Sequence, residues 1–208
     1  MSNTERSAAA LDDAAAAASG DGAKKGGVHL PGDVNMWVFV LGDLIIFGAY
    51  FIIFMIYRTQ QRSVFLESQQ HLSLDIGVVN TLLLLASSWF VARGVVAARA
   101  DDHGRAVRRI VFGSGCGLLF IVVKGYEWSS EIRQGLTFPR NDFFMFYYLL
   151  TGVHLFHVVL GLVILAIVVL QLRNGKHRRV FMAETGATYW HMVDLLWIVI
   201  FALLYVMR

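Results

Sequence analysis

The sequence predicts an all-α, polytopic membrane protein with five transmembrane helices and a cytoplasmic N-terminus. Three observations predict it. Of the 208 residues, 57% are hydrophobic and only 16% are charged, whereas a soluble domain carries about a quarter charged residues. Mean hydropathy is +0.59. Five stretches also hold the roughly 20 mainly apolar residues that a helix needs to cross a bilayer core of about 30 Å. Nineteen glycines and two prolines fit long helices with small-residue contacts.

Residues 1–33 differ from the rest. "SAAALDDAAAAASGDGAKKGG" is Ala/Gly/Asp-rich and offers little to bury. A signal peptide needs an uninterrupted apolar core, and Asp12 and Asp13 break this one. The stretch reads as a disordered, uncleaved tail. The membrane domain is then 34–208, with spans at 34–57, 76–99, 107–128, 143–172 and 187–207. The fourth is longer than a bilayer requires and should tilt or project. Trp37, Tyr57, Trp89, Trp128, Tyr147, Tyr189 and Tyr205 fall near span ends, where interface anchors sit.

Charge sets the orientation. Twelve of the 18 Lys and Arg lie in the tail and around the second and fourth loops, five lie on the opposite side, and Lys124 is within a span. The positive-inside rule places the N-terminus in the cytoplasm and the C-terminus outside. Soluble catalytic signatures such as a Gly-rich phosphate loop, CxxC, HExxH or GxSxG are missing. The lone Cys116 has no adjacent polar activator and reads as a small core residue.

Ionisable residues at membrane depth mark candidate functional sites. Asp43 in "MWVFVLGDLIIFGAYF" falls near mid-bilayer. It is either a proton-exchanging or partner-binding carboxylate, or a protonated acid bonded to a neighbouring helix. Lys124 and Glu127 in "VVKGYEW" share a helical face as a local ion pair. Lys124, near the outer end of its span, could also snorkel. Trp190, Asp194, Trp197 and Phe201 form one stripe, in which Asp194 could accept from an indole N–H or pair with His191. His154 and His157 lie three apart in "TGVHLFHVVLG", with Gly161 placed for close approach of another backbone. Two histidines on one turn cannot both ligate one haem iron axially. They could join a metal site only with a third ligand. Otherwise they are neutral side chains bridging helices. A membrane metalloprotein using this pair, or a small proton-coupled transporter using Asp43 and Asp194, is the alternative function at this point. Lack of an internal repeat weighs against the transporter.

In order, "MWVFVLGDLIIFGAYF", "NTLLLLASS", "KGYEW", "GVHLFHVVLG" and "YWHMVDLLWIVIFALLYV" resemble the subunit III family of haem–copper terminal oxidases, cytochrome c oxidase subunit III, across 34–207. The opening "PGDVNMWVFVLGDL" is similar to a short, five-span branch associated with bacterial nitric oxide reductases. The resemblance implies a non-catalytic accessory subunit in the bacterial plasma membrane. It implies no redox centre in this chain, with haem and copper held by a partner, the catalytic subunit I. It further implies bound phospholipid in a cleft between helices and support of proton uptake. By the same resemblance Asp43 stands where the family has a buried carboxylate, one carbon shorter. Glu127 matches the family's second carboxylate, and His154, His157, Trp190, His191 and Asp194 match directly. Lys124 departs from the pattern, which is usually uncharged there, so its pairing with Glu127 is a local feature. Arg99, Arg105, Arg108 and Arg109 form a basic surface that would attract anionic headgroups.

Overall fold

The computed structural model describes residues 34–138, 140–174 and 180–207. The 1–33 tail lies outside the described residues. Among the described residues, five helices are long and apolar enough to span a membrane. In chain order the elements are α1 (Val34–Gln60), α2 (Arg62–Gln69), α3 (Leu74–Arg99), α4 (His103–Arg133), α5 (Asp142–Arg173) and α6 (Val180–Phe201). A π-helical turn, Ala202–Val206, ends the bundle.

Three helix starts are fixed by side chains that accept an otherwise unpaired backbone N–H. Ser73 accepts from Ile76 at 3.5 Å, Asp102 from Arg105 at 2.9 Å and Asn141 from Phe144 at 3.0 Å. The Asp102 cap explains why α4 begins at His103 rather than at 107, where the apolar run starts. α4 also runs past 128 through the polar "SSEIR". It stops where Gly135 takes a left-handed φ of 75°, which lets the Leu136 N–H return to the Glu131 carbonyl at 3.0 Å. α6 starts at Val180 among the described residues, ahead of the expected 187. Glu184, Thr185 and Gly186 interrupt its apolar run and hid it, but Glu184 is partnered by Arg99 at 2.7 Å.

α3 and α4 are joined by a tight turn and pack most extensively. The backbones approach at Gly113, where an added Cβ would lie 3.0 Å from the Ser87 carbonyl oxygen. The Ser87 hydroxyl donates to the Gly113 carbonyl at 2.7 Å. α6 packs against α1, α3 and α5, and its buried face runs from Ala183 through Trp190 and Trp197 to Ile200. α1 is peripheral: Val38, Ile45 and Ile52 on its outer side are 67%, 72% and 64% exposed, a face suited to lipid or a partner subunit.

Short α2 was not expected, because its eight residues are mostly polar. Phe65 plugs it into the core between Phe54 and Phe143. Its Gln69 donates to the Leu203 and Leu204 carbonyls at 3.2 and 3.1 Å, satisfying acceptors at the end of the chain's last helical turns. The tyrosine anchors need correction. Tyr147, Tyr189 and Tyr205 are buried (0%, 0% and 2% exposed), while Trp89 is 59% exposed. Three of the expected interface rings therefore pack inside the bundle, because nearness to a span end does not decide which face of the helix a ring occupies. Cys116 is half-buried rather than a core residue.

Candidate functional site

Lys124 sits at the centre of a buried polar cluster. Its ammonium has three N–H donors, and each finds an acceptor: Glu127 Oε2 at 2.9 Å, Tyr205 OH at 2.7 Å and Tyr147 OH at 3.2 Å. Tyr205 in turn donates to Glu127 Oε1 at 2.5 Å. Nζ also stands 4.7 Å from the Tyr147 ring centre and 5.3 Å from that of Trp197, within cation–π range. Lys124 is 0% exposed. It does not snorkel, because α4 continues for two more turns and α5 and the π turn close over it. The desolvation cost of a buried pair is offset only where every donor is satisfied, and here all three are. Glu131, one turn further along α4, is also buried, and its Oε2 has no hydrogen-bond partner among the described residues.

Asp43 and His157 meet between α1 and α5. Their Oδ2 and Nε2 atoms are 3.4 Å apart, short of hydrogen-bond alignment. His157 Nδ1 lies 2.8 Å from the Val153 carbonyl. A carbonyl can only accept, so Nδ1 carries a proton. Nε2 then faces Asp43 either as a bare nitrogen toward a carboxylic acid or as an N–H toward a carboxylate. The Phe47 ring meets His157 edge-on at 5.5 Å, shielding the pair on one side.

The remaining candidates are dispersed through the bundle. His154 has no hydrogen-bond partner on either ring nitrogen among the described residues. It lies between Phe120 and Trp197, 5.8 and 5.2 Å away by ring centres. The two histidines therefore neither converge nor bridge helices as a pair. Among the described residues no three His, Cys, Asp or Glu side chains group to hold a metal ion. Asp194 does not receive the indole N–H groups and does not pair with His191. Trp190 donates to Ser87 Oγ and Trp197 to Thr81 Oγ1, each at 3.1 Å, and His191 Nδ1 meets Ser88 Oγ at 2.6 Å. Hydroxyls of α3 face α6 and take these roles; Asp194 lies near the Ser88 hydroxyl, but neither of its oxygens has a hydrogen bond of good geometry among the described residues. Gly161 admits a ring rather than a backbone. An added Cβ there would lie 2.8 Å from Trp190 Cε3, and one at Gly117 would lie 2.8 Å from Trp190 Cη2. Trp190 is thus clamped between α4 and α5.

Sequence reasoning missed Tyr147, Tyr205, Glu131 and the α3 hydroxyls as members of these sites. Glu131 was within reach, since it follows Glu127 at i+4 on the same face. The tyrosines and hydroxyls gave no such signal, because their partners are distant in sequence.

The family profile described as "Cytochrome c oxidase subunit III" matches residues 11–208. This chain belongs to the cytochrome c oxidase subunit III family. A subunit III relative from Synechocystis sp., named cytochrome c oxidase subunit 3, is 31% identical over 87% of this chain and 79% of its own length. One of the same name from Thermostichus vulcanus is 31% identical over 84% of this chain and 86% of its own. A heme-copper oxidase subunit I+III from Aeropyrum pernix is 26% identical over 82% of this chain, a match covering 22% of that longer protein. The order of motifs and the five spans of this subunit III chain agree with that membership.

Proposed function

We propose that this chain is a non-catalytic accessory subunit of a haem–copper terminal oxidase in the bacterial plasma membrane, with its N-terminus in the cytoplasm. It braces the catalytic subunit I, which holds the haem and copper, and holds phospholipid along its flank. The supporting observation is the family membership together with the Aeropyrum pernix relative, whose name joins subunits I and III in one chain. A partner-facing or lipid-facing role suits the exposed apolar side of α1. A role in proton uptake rests on the Asp43–His157 contact, which brings a carboxyl group and an imidazole within 3.4 Å at the bundle's edge, with 14% and 11% of the two side chains exposed. A nitric oxide reductase-like host complex is the narrower alternative, supported by the opening motif of α1.

The test is a mild-detergent pull-down of the tagged chain from native membranes, with every co-purifying chain identified. A haem-bearing subunit I is the expected partner, and its own active-site class distinguishes an oxidase from a nitric oxide reductase. A chain that emerges alone under gentle extraction overturns the accessory reading. Asp43→Ala tests the proton role: sustained turnover should fall while the haem spectra stay intact. Unchanged turnover, or lost haem, contradicts it.

A further inference from the structure

Ser88 of α3 stands between two ionisable side chains of α6. Its Oγ lies 2.6 Å from His191 Nδ1, and Asp194 lies near the same hydroxyl. His191 and Asp194 are three residues apart, so one face of α6 presents both. Asp194 is 4% exposed, and its oxygens have neither a hydrogen-bond nor an ion-pair partner among the described residues. Burial without such compensation is cheapest for the neutral acid. His191 is half-buried. It lines a cavity of about 220 Å³ between α3 and α6, together with Arg99, Glu184 and Thr188. At about 30 Å³ per water, that space has room for several. Glu184, Thr188 and His191 recur at i, i+4 and i+7, forming a polar stripe along α6. The stripe begins at the Arg99–Glu184 pair, where the Arg99 side chain is 55% exposed, and leads inward to His191.

We propose that Asp194 is a reversible proton store, filled from the α3–α6 cavity through His191 and Ser88. A serine hydroxyl donates one hydrogen bond while accepting another, so Ser88 can hand a proton across without changing its own charge. In the empty state Asp194 is a carboxylate, His191 carries its proton on Nδ1, and Ser88 accepts from that N–H and turns its own proton to Asp194. Water in the cavity protonates Nε2. The Nδ1 proton then passes to Ser88 Oγ as the Ser88 proton passes to Asp194. An imidazolium and a carboxylate become a neutral imidazole and a carboxylic acid. In the filled state Asp194 donates to Ser88, and Ser88 donates to the bare Nδ1. The reverse sequence returns the proton to the cavity. The use of this proton by a host complex rests on the proton-uptake role proposed above, whereas exchange at Asp194 does not.

Infrared difference spectroscopy of the full chain, purified with its co-purifying partners, tests this. The carboxylic C=O band that Asp194→Asn removes belongs to Asp194, and its downshift after transfer to heavy water times the exchange. Ser88→Ala should slow that exchange by about tenfold or more, as expected where a hydrogen bond in the path is lost. Ser88→Thr keeps the hydroxyl and should restore the rate. Thr81→Ala breaks the Trp197 bond in the same α3–α6 seam without touching the relay, and should leave the rate unchanged. The proposal fails if Asp194→Asn removes no carboxylic band or if Ser88→Ala exchanges as fast as the unmodified chain. It fails equally if Ser88→Thr does not restore exchange, or if Thr81→Ala slows it as much, since loosened packing would then account for the effect. Sustained turnover of the host complex is read separately. Slowed exchange with unchanged turnover in Ser88→Ala supports the relay and contradicts its service to proton uptake.

Discussion

Trp190 shows how much a single residue can fix. Its indole fills the space that Gly117 and Gly161 leave, and its N–H is bonded to Ser87. Overpacking a fitted site typically costs about 1–3 kcal/mol. Gly161→Ala should therefore lower the thermal unfolding midpoint of the purified chain, whereas Gly48→Ala, with nothing within 4 Å of the added carbon, should not. Equal midpoints for the two variants would contradict the clamp. Lys124 makes a second case. Lys124→Met leaves Glu127 buried without its cation and should destabilise by about 3–5 kcal/mol, while Lys124→Met/Glu127→Leu should recover much of that loss. Chemical denaturation of the three forms gives the comparison. If the double variant were as unstable as the single one, packing rather than charge would hold the cluster.

At the scale of elements, the α3–α4 hairpin depends on a charged cap. Bonds from the Arg105 backbone and side chain hold the Asp102 carboxyl below the usual carboxylate range. A carboxylate depressed in the folded state stabilises above its unfolded pKa. That contribution is lost as pH falls through the lower folded value. The first turn of α4 should therefore open only in strongly acidic solution, below the usual carboxylate range, and Asp102→Ala should open it at neutral pH. Amide hydrogen exchange at Arg105 reads both effects. Exchange that is unchanged by the substitution would show that packing alone maintains the turn. Among the elements, α3 and α5 were readable from sequence to within two residues, because their apolar runs coincide with their helices. α4 and α6 were read too short. Their polar ends are stabilised by distant partners, such as Arg99 for Glu184, which hydropathy does not register. α2 escaped notice because one residue, Phe65, docks it.

For the whole molecule, an odd number of spans places the termini on opposite sides of the membrane. With the N-terminus inside, Ala100→Cys in the α3–α4 turn should react with a membrane-impermeant thiol reagent only from the cytoplasmic side. Gln134→Cys, beyond α4, should react only from outside. A Cys116→Ser background removes the native thiol. The reverse pattern would invert the topology and move the α3–α4 turn to the outer side.

Sequence by itself determined the class, the five spans, the family and the identity of the ionisable groups. Those depend on local hydropathy and on motif order, both linear properties of the chain. Only the tertiary structure decided which groups meet. Lys124 could have snorkelled by its position near a span end, yet Tyr147 and Tyr205, 23 and 81 residues away along the chain, enclose it. His154 and His157 share a helical turn, yet one is wedged between aromatic rings and the other turns to Asp43 on α1. The physical reason is that helix periodicity orders neighbours along one element. What a side chain faces across a bundle is set by how that element packs against the others.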